Sequence, residues 1–487
     1  MDIMNLTALE IGAKIRAGEL SAVEAVQASL DAIAAKDAAC KSFTSVQAEL
    51  ALEQAKLVQE KIQKGKLSSP LAGVPVGIKD NMSTRGRLTT CSSRMLENYV
   101  PAFDATAVER LEAAGAVIVG KLNMDEFAMG ASTETSYFKK TANPWDTGRV
   151  PGGSSGGSAA SVAAREVPFS LGSDTGGSIR QPSAYCGVTG LKPTYGSVSR
   201  WGLIAFASSL DQIGPIAKDA ADCAAVLEII SGRDSRDSTC VDRDPFHFSN
   251  IISQDAKGMK IGVPNEFFGK GVDADVKSRV LEAVDTLKAM GASVEFFDMP
   301  ITSYAIPAYY IICCAEASSN LSRYDGVKYG FRGEGYEGLT DLYLKSRSQG
   351  FGMEVKRRIM LGAFVLSSGY YDAYYNKALK VKHLIKNAFD EAFEKYDIIL
   401  GPTSPTTAFK FSENIDDPLK MYLLDVYTAP VNLAGLPGIS LPCGFDAKGL
   451  PVGLQLIGRP FGEADILRAA CAFQHETDFH KARPAEF

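Results

Sequence analysis

Histidine is scarce. His247, His383, His475 and His480 are the whole complement of a 487-residue chain. His475 and His480 lie in "FQHETDFH", close to a charged C-terminus, which leaves little from which to build a serine–histidine hydrolase. Cysteine is present but unorganised. The nine cysteines lack the CxxC spacing of a zinc site. Their odd number, with Cys313 and Cys314 adjacent, reads as reduced thiols filling the core of a cytoplasmic protein. Long apolar runs are missing. "AIPAYYIICCA" (305–315) falls well short of the ~20 residues of a membrane span, and "MDIMNLTALE" lacks the basic start of a secretory leader. Excess positive charge is missing too. The net charge is -6, so a dominant nucleic-acid or anionic-membrane surface is not expected. What remains is an ordinary globular composition, 46% hydrophobic and 22% charged, with ample material for a core. There is no repeat, low-complexity tail or long linker. The expectation is one domain over 1–487, with a helical segment over 1–65 packed on an α/β core over 66–487.

The patterning supports that division. Thr7 with Glu10 and Ser21 with Glu24 read as capping boxes. Val23, Val26, Leu30 and Ile33 then recur at helical spacing. "KLSSPLAG" (66–73) is a linker by composition. After it, short apolar runs alternate with helices. "GVPVGI" (73–78), "AVIVG" (116–120), "KIGVP" (260–264), "SVEFF" (293–297), "DIILG" (397–401), "GISLP" (438–442) and "VGLQLIG" (452–458) read as strands. Helices are expected over 105–115, 273–292 and about 354–395. Such alternation predicts a layered α/β fold around a largely buried sheet.

The chemistry concentrates in two glycine–serine clusters, "GGSSGGS" (152–158) and "DTGGSIR" (174–180). A phosphate loop would need Lys after Gly157, where Ser158 and Ala159 stand. A nucleophile elbow is matched formally with Ser154 or Ser155 at its centre, but it needs the histidine this chain is short of. A flexible hinge does not run into a small-residue helix, "SAASVAA", and then a buried strand, "VPFSLG". A serine nucleophile without histidine needs another base. Lys79 ends the apolar strand in "AGVPVGIKDN". Taken alone it could snorkel to solvent. Buried, its ammonium is disfavoured, and a fall of roughly 3 units from ~10.4 would make it a base near pH 7.

Lys79 in "GVPVGIKDN", Ser154 in "PGGSSGGSAA" and Ser178 in "GSDTGGSIRQPSAYCGVTGLKPTYG" together resemble the amidase signature family, over nearly the whole chain. The resemblance implies a large mixed β-sheet core covered by helices on both faces. It implies a Ser–cis-Ser–Lys triad with Ser178 as nucleophile and Ser154 bridging it to Lys79. The backbone amides of Thr175, Gly176, Gly177 and Ser178 would form the oxyanion hole.

Within the family, "GKLNMDEFAMGASTETS" (120–136), "PAYYIICCAEASSNLSRYDGVKYG" (307–330), "EVKRRIMLG" (354–362) and "DVYTAPVNLAGLPGISLP" (425–442) are similar to the glutamine-hydrolysing A subunits of tRNA-dependent amidotransferases. That similarity implies L-glutamine as substrate, with Asp425 on its ammonium and Arg358 on its carboxylate. Tyr309 and Met129 would line the pocket, with Tyr310 left open as the alternative to Tyr309. The ammonia would serve conversion of Glu-tRNA(Gln) to Gln-tRNA(Gln), with Asp-tRNA(Asn) left open as a second acceptor. It further implies a B subunit that uses ATP and Mg²⁺ and carries most of the tRNA contact, and a small C subunit, in a cytoplasmic heterotrimer with no membrane contact. This chain itself is expected to hold no cofactor and no metal. Two other readings compete. A stand-alone amidase of small amides would share the triad but not the Asp425/Arg358 pair. A silent scaffold would be indifferent to loss of Ser178.

Overall fold

The computed structural model describes residues 2–248, 255–269, 271–413 and 418–487. Among the described residues, eleven strands pair into one sheet. In chain order they are β1 (Phe43–Val46), β2 (Pro75–Lys79), β3 (Val117–Leu122), β4 (Phe169–Asp174), β5 (Thr189–Lys192), β6 (Gln212–Ala217), β7 (Lys260–Pro264), β8 (Ser293–Phe297), β9 (Ile398–Pro402), β10 (Gly438–Phe445) and β11 (Pro451–Gly458). Their order across the sheet is β1-β3-β2-β4-β6-β5-β10-β11-β9-β7-β8. The sheet is mixed. β2 runs parallel to β3 and β4, and β7 runs parallel to β8 and β9, with antiparallel pairs between these blocks.

Helices cover both faces, and the period-2 alternation of the strands shows why. Val117 and Val119 of β3 pack with Val26, Leu30 and Ala55 from helices Ala22–Cys40 and Ala48–Gln63. Between them, Ile118 packs with Val108 and Leu111 of helix Thr106–Ala113 and with Val226 of helix Ala220–Ile230. A third cluster joins Tyr309, Cys313, Val355 and Phe389 from helices Ala305–Asn320, Met353–Val365 and Lys377–Phe393 to Ile399 of β9. All nine cysteines are free thiols, and all but Cys240 are buried. Among the described residues no helix is long and apolar enough to cross a membrane.

Both expected capping boxes form, at Thr7/Glu10 and Ser21/Glu24. Two local expectations change. The N-terminal segment is not only helical, because β1 pairs antiparallel with β3 and closes one edge of the sheet. Four residues, "FTSV", are too few to show a period. The stretch 354–395 is not continuous α-helix. Gly369, at φ 88°, interrupts it, and a π-helical turn, Tyr371–Asn376, precedes the second α-helix.

What the fold does for the chemistry is set by β2, β3 and β4. They are parallel neighbours, so their carboxyl ends lie at one edge of the sheet, the place where open α/β sheets present their ligands. Lys79 is the last residue of β2, Asp125 follows the end of β3, and Asp174 closes β4 just before residues 175–178.

Candidate active site

Lys79 is fully buried. Its Nζ donates to Ser154 Oγ at 2.7 Å, to Ser155 Oγ at 2.8 Å and to the Ser173 carbonyl at 3.1 Å. It does not snorkel. Burial pulls its pKa down to about 7, against the opposing pull of Asp125, Asp174 and Asp211. A lysine in that range is half neutral at neutral pH and can take up a proton.

The two serines that meet Lys79 are not equivalent. Ser155 Oγ donates to the Ser173 carbonyl at 3.0 Å and accepts from the Ser173 amide at 3.3 Å, so its proton is committed to β4. Among the described residues Ser154 Oγ has no partner other than Lys79. Its proton is free to move, and the peptide that delivers it, Gly153–Ser154, is cis. Helix Gly156–Ala163 begins immediately after and is anchored to β4 by Ser158 Oγ on the Leu171 carbonyl at 3.1 Å.

Ser178 is adjoining, since its carbonyl accepts from the Ser155 amide at 3.1 Å. Its hydroxyl makes no hydrogen bond among the described residues, and the residue is 8% exposed. Among the described residues no hydrogen bond joins Ser154 Oγ to Ser178 Oγ. Around it the backbone amides of Thr175, Gly176, Gly177 and Ser178 are buried and find no acceptor among the described residues. Adjacent buried amides without partners are rare, and together they offer a ready-made site for a carbonyl oxygen acquiring charge. Their setting is rigid. Thr428 Oγ donates to the Gly176 carbonyl at 2.6 Å, and Thr175 Oγ donates to Asp211 at 2.7 Å. Gly177 has φ 150°, and a Cβ there would stand 2.3 Å from Thr428 Oγ1. A Cβ on Gly176 would stand 2.4 Å from the Tyr309 ring, so glycine is required at both positions. Asp174 is tied to Arg180, Nε to Oδ2 at 3.1 Å. Burial works against ionisation of Asp174, but the guanidinium wins and holds its pKa at about 2.

A cavity of about 370 Å³ opens beside this centre, lined in part by Gly130, Ser132, Tyr310, Glu354, Arg358 and Tyr422. Its wall touches the reactive segment, because a Cβ on Gly153 would lie 2.7 Å from the Ser132 amide. Arg358 is buried. Its Nε donates to Glu354 at 2.8 Å, and its guanidinium lies 5.2 Å from the Tyr310 ring and 5.6 Å from the Tyr422 ring. Its two Nη groups make no hydrogen bond among the described residues, which leaves a fork open toward the cavity. Arg357, by contrast, is partly exposed and pairs with Glu354. Asp425 lies between cavity and loop. It accepts from the Tyr310 hydroxyl at 3.0 Å, and its Oδ1 is 3.3 Å from where a Gly177 Cβ would be. Burial pushes its pKa up to about 7, although the Tyr310 hydrogen bond and Arg358 oppose this.

Lys79, Ser154 and the 175–178 segment meet at one place, and Arg358 lines the cavity beside it, whereas Met129, Tyr309 and Asp425 are not on the cavity's wall. Tyr309 and Tyr310 both belong: the first backs Gly176, and the second faces the cavity and holds Asp425. Met129 is buried in the cluster with Phe206 and Tyr309, one residue short of the wall that Gly130, Ala131 and Ser132 form. Sequence reasoning missed Glu354, Tyr422 and Thr428, and set Ser155 aside together with the nucleophile elbow. Glu354 carried a signal, since it lies four residues before Arg358 on one helix face.

This constellation is that of an amidase, and the chain belongs to that family: residues 24–467 match the family described as Amidase. It is 63% identical to the A subunit of glutamyl-tRNA(Gln) amidotransferase of Agathobacter rectalis, over 100% of this chain and 97% of that one. It is 60% identical to the protein of the same name from Lachnospira eligens, over 97% and 98% of the two chains. The crystal structure of the corresponding glutamyl-tRNA(Gln) amidotransferase A subunit from Thermotoga maritima superimposes with a TM-score of 0.81 at 46% identity, covering 98% of this chain and 96% of that chain.

Proposed function

We propose that this chain is the glutamine-hydrolysing A subunit of a tRNA-dependent amidotransferase, acting as one catalytic domain over 1–487. One observation carries the reading: a buried Lys79 on Ser154, beside four amides unpaired among the described residues and a cavity lined by the open Arg358 fork and by Tyr310, which holds the buried Asp425 behind it. An apolar-amide hydrolase gains nothing from burying that charged pair, whereas a free amino acid needs one group of each sign.

L-Glutamine enters with its carboxylate on Arg358 and its ammonium on Asp425, which directs the side-chain amide to Ser178. As Ser178 Oγ attacks the carboxamide carbon, its proton passes to Ser154 Oγ and the Ser154 proton passes to neutral Lys79. The C=O electrons move to the oxygen, which the amides of 175–178 stabilise. The relay then runs in reverse. Lys79 returns a proton to the departing nitrogen through Ser154, the C–N bond breaks, and ammonia leaves a glutamyl ester on Ser178. Water, deprotonated by the same relay, cleaves the ester to glutamate.

The similarity to amidotransferase A subunits supports the rest of the reading. The ammonia passes to a B subunit that activates Glu-tRNA(Gln) with ATP and Mg²⁺, with a C subunit completing a cytoplasmic heterotrimer. The test is ammonia release from L-glutamine against a panel of simple amides, by the chain alone and with B, C and charged tRNA. Release confined to L-glutamine and raised by the partners supports the proposal. Brisk release from simple amides with glutamine ignored replaces it with a stand-alone amidase.

A further inference from the structure

Four titratable groups act on Lys79: Asp125 from the loop after β3, Asp174 from the end of β4, Asp211 from the turn before β6, and Cys91 from the segment after β2. The three carboxylates differ in what balances them. Asp174 is neutralised by Arg180, which donates through Nε and Nη2 to its two oxygens, each at 3.1 Å. Asp211 is held by the Thr175 hydroxyl and by the Phe206 and Ala207 amides, with Arg200 offsetting its charge. Asp125 is fully buried and forms no ion pair with Lys or Arg among the described residues. Its hydrogen-bond donors among the described residues are neutral: the Ser132 amide at 3.3 Å, the Thr135 amide at 3.4 Å, the Thr135 hydroxyl at 2.9 Å and the Thr133 amide. A buried carboxylate without a cation of its own is expensive to keep.

The chain nevertheless makes room for it. A Cβ on Gly130 would lie 2.4 Å from Asp125 Oδ1, and a Cβ on Gly153 would lie 2.0 Å from Oδ2. Gly153 is the residue before Ser154, so the carboxylate packs against the peptide that delivers the relay hydroxyl. On the same side the Asp125 amide donates to the Ser154 carbonyl at 3.2 Å. One residue thus grips Ser154 through its backbone and places an unbalanced negative charge beside it.

We propose that Asp125 is a positioning residue for the base: its amide fixes the Ser154 end of the relay, and its carboxylate is the counter-charge for the ammonium that forms on Lys79 when a proton arrives. This rests on Lys79 being the base. The physical logic is that of an aspartate orienting and charge-balancing a basic side chain that must become cationic in the transition state. Burial alone would push the Lys79 ammonium further out of reach of protonation, and Asp125 opposes that. Reciprocally, burial raises Asp125 and Lys79 pulls it back.

The test is Asp125→Asn in the assembled amidotransferase, with kcat for L-glutamine measured at saturating substrate from pH 5 to 9, where the bound ammonium keeps Asp425 ionised. Asparagine keeps the shape, the backbone amide and an oxygen for Thr135, but not the charge. We expect the maximal kcat to fall about 10- to 100-fold and its acid limb to move about one unit to lower pH, because Lys79 loses its proton more readily. A purely structural Asp125 would lower the rate equally at every pH. An acid limb unmoved from wild type overturns the proposal. Should Asp125→Asn fail to fold, Thr135→Val serves. It removes one of the hydrogen bonds that favour the ionised carboxylate, weakens its charge and moves the limb in the same direction by a smaller step, and an unmoved limb there overturns the proposal too. A wild-type profile with no acid limb near pH 7 tells against Lys79 as base, a different failure from an unmoved limb in the variant.

Discussion

The Tyr310 hydroxyl donates to Asp425 Oδ2 at 3.0 Å, while the ring of Tyr310 stacks on Tyr422 at 3.8 Å between centroids. Tyr422 in turn donates to Glu354 at 3.2 Å, and Glu354 holds Arg358 at 2.8 Å. The two charged ends of the proposed glutamine site are therefore parts of one connected network. A hydrogen bond to a charged group contributes about 1.5–3 kcal/mol. Tyr310→Phe should accordingly raise KM for L-glutamine about tenfold or more and leave kcat within a few-fold. A fall in kcat at unchanged KM would place Tyr310 in the chemistry rather than in binding.

Asp425 gives the site a pH dependence of its own. Its pKa stands at about 7 because burial disfavours the carboxylate. An ammonium is held by the ionised form only. KM should therefore be lowest above pH 7 and rise as pH falls through that value, separately from the acid limb in kcat. Asp425→Asn should make KM high and flat across pH, which steady-state kinetics at several pH values will read.

Arg358 and Glu354 should separate charge from geometry. Arg358→Lys keeps the charge but loses the fork and the bond to Glu354, and should raise KM for L-glutamine about tenfold or more. Glu354→Gln should have a smaller effect in the same direction. Equal affinity in Arg358→Lys and wild type would remove the carboxylate-binding role.

Ser154→Ala and Ser155→Ala should differ sharply. The first removes the hydroxyl whose proton is uncommitted and should reduce kcat about 10³-fold or more, the scale of losing a member of a nucleophile–base set. The second removes a hydroxyl already bonded to Ser173 and should cost on the order of tenfold. Equal losses would mean that Lys79 uses both serines.

Lys79 should also leave a mark on stability. Its folded pKa is about 7, against 10.5 for an ordinary lysine. The folded chain therefore binds fewer protons than the unfolded chain between those values. The penalty is complete below pH 7, roughly 4–5 kcal/mol, and is relieved as pH rises toward 10.5. Lys79→Met should be inactive yet melt higher than wild type at pH 6, with the gain shrinking toward pH 10. A lower melting temperature at pH 6 would show that the bonds to Ser154, Ser155 and Ser173 outweigh desolvation.

The core strands were legible because they are continuous apolar runs between turn residues, and "GVPVGIK" and "VGLQLIG" need no partner to be read. β1 was not, since four residues carry no period and gain their strand from β3. Lys79 and the two glycine–serine clusters stood out by composition, and their reading as a triad came from the resemblance to the amidase signature family. Its electrostatics were not. Nothing in "NMDEF" says that Asp125 has no ion-pair partner among the described residues while Asp174 has Arg180, because that difference is made by residues from separate segments meeting at the ends of β2, β3 and β4. The choice between Tyr309 and Tyr310 also needed the fold: they are adjacent on one helix, and only packing shows one under Gly176 and the other in the cavity.

The most direct test of the central claim is to find where the acyl group forms. The assembled enzyme is mixed with L-glutamine, quenched in acid before steady state, and digested for mass spectrometry, with ammonia measured in parallel for wild type and Ser178→Ala. The account predicts a glutamyl ester on the peptide containing Ser178, and neither adduct nor ammonia from Ser178→Ala. An adduct on Ser154 or Ser155, or undiminished ammonia from Ser178→Ala, would contradict it.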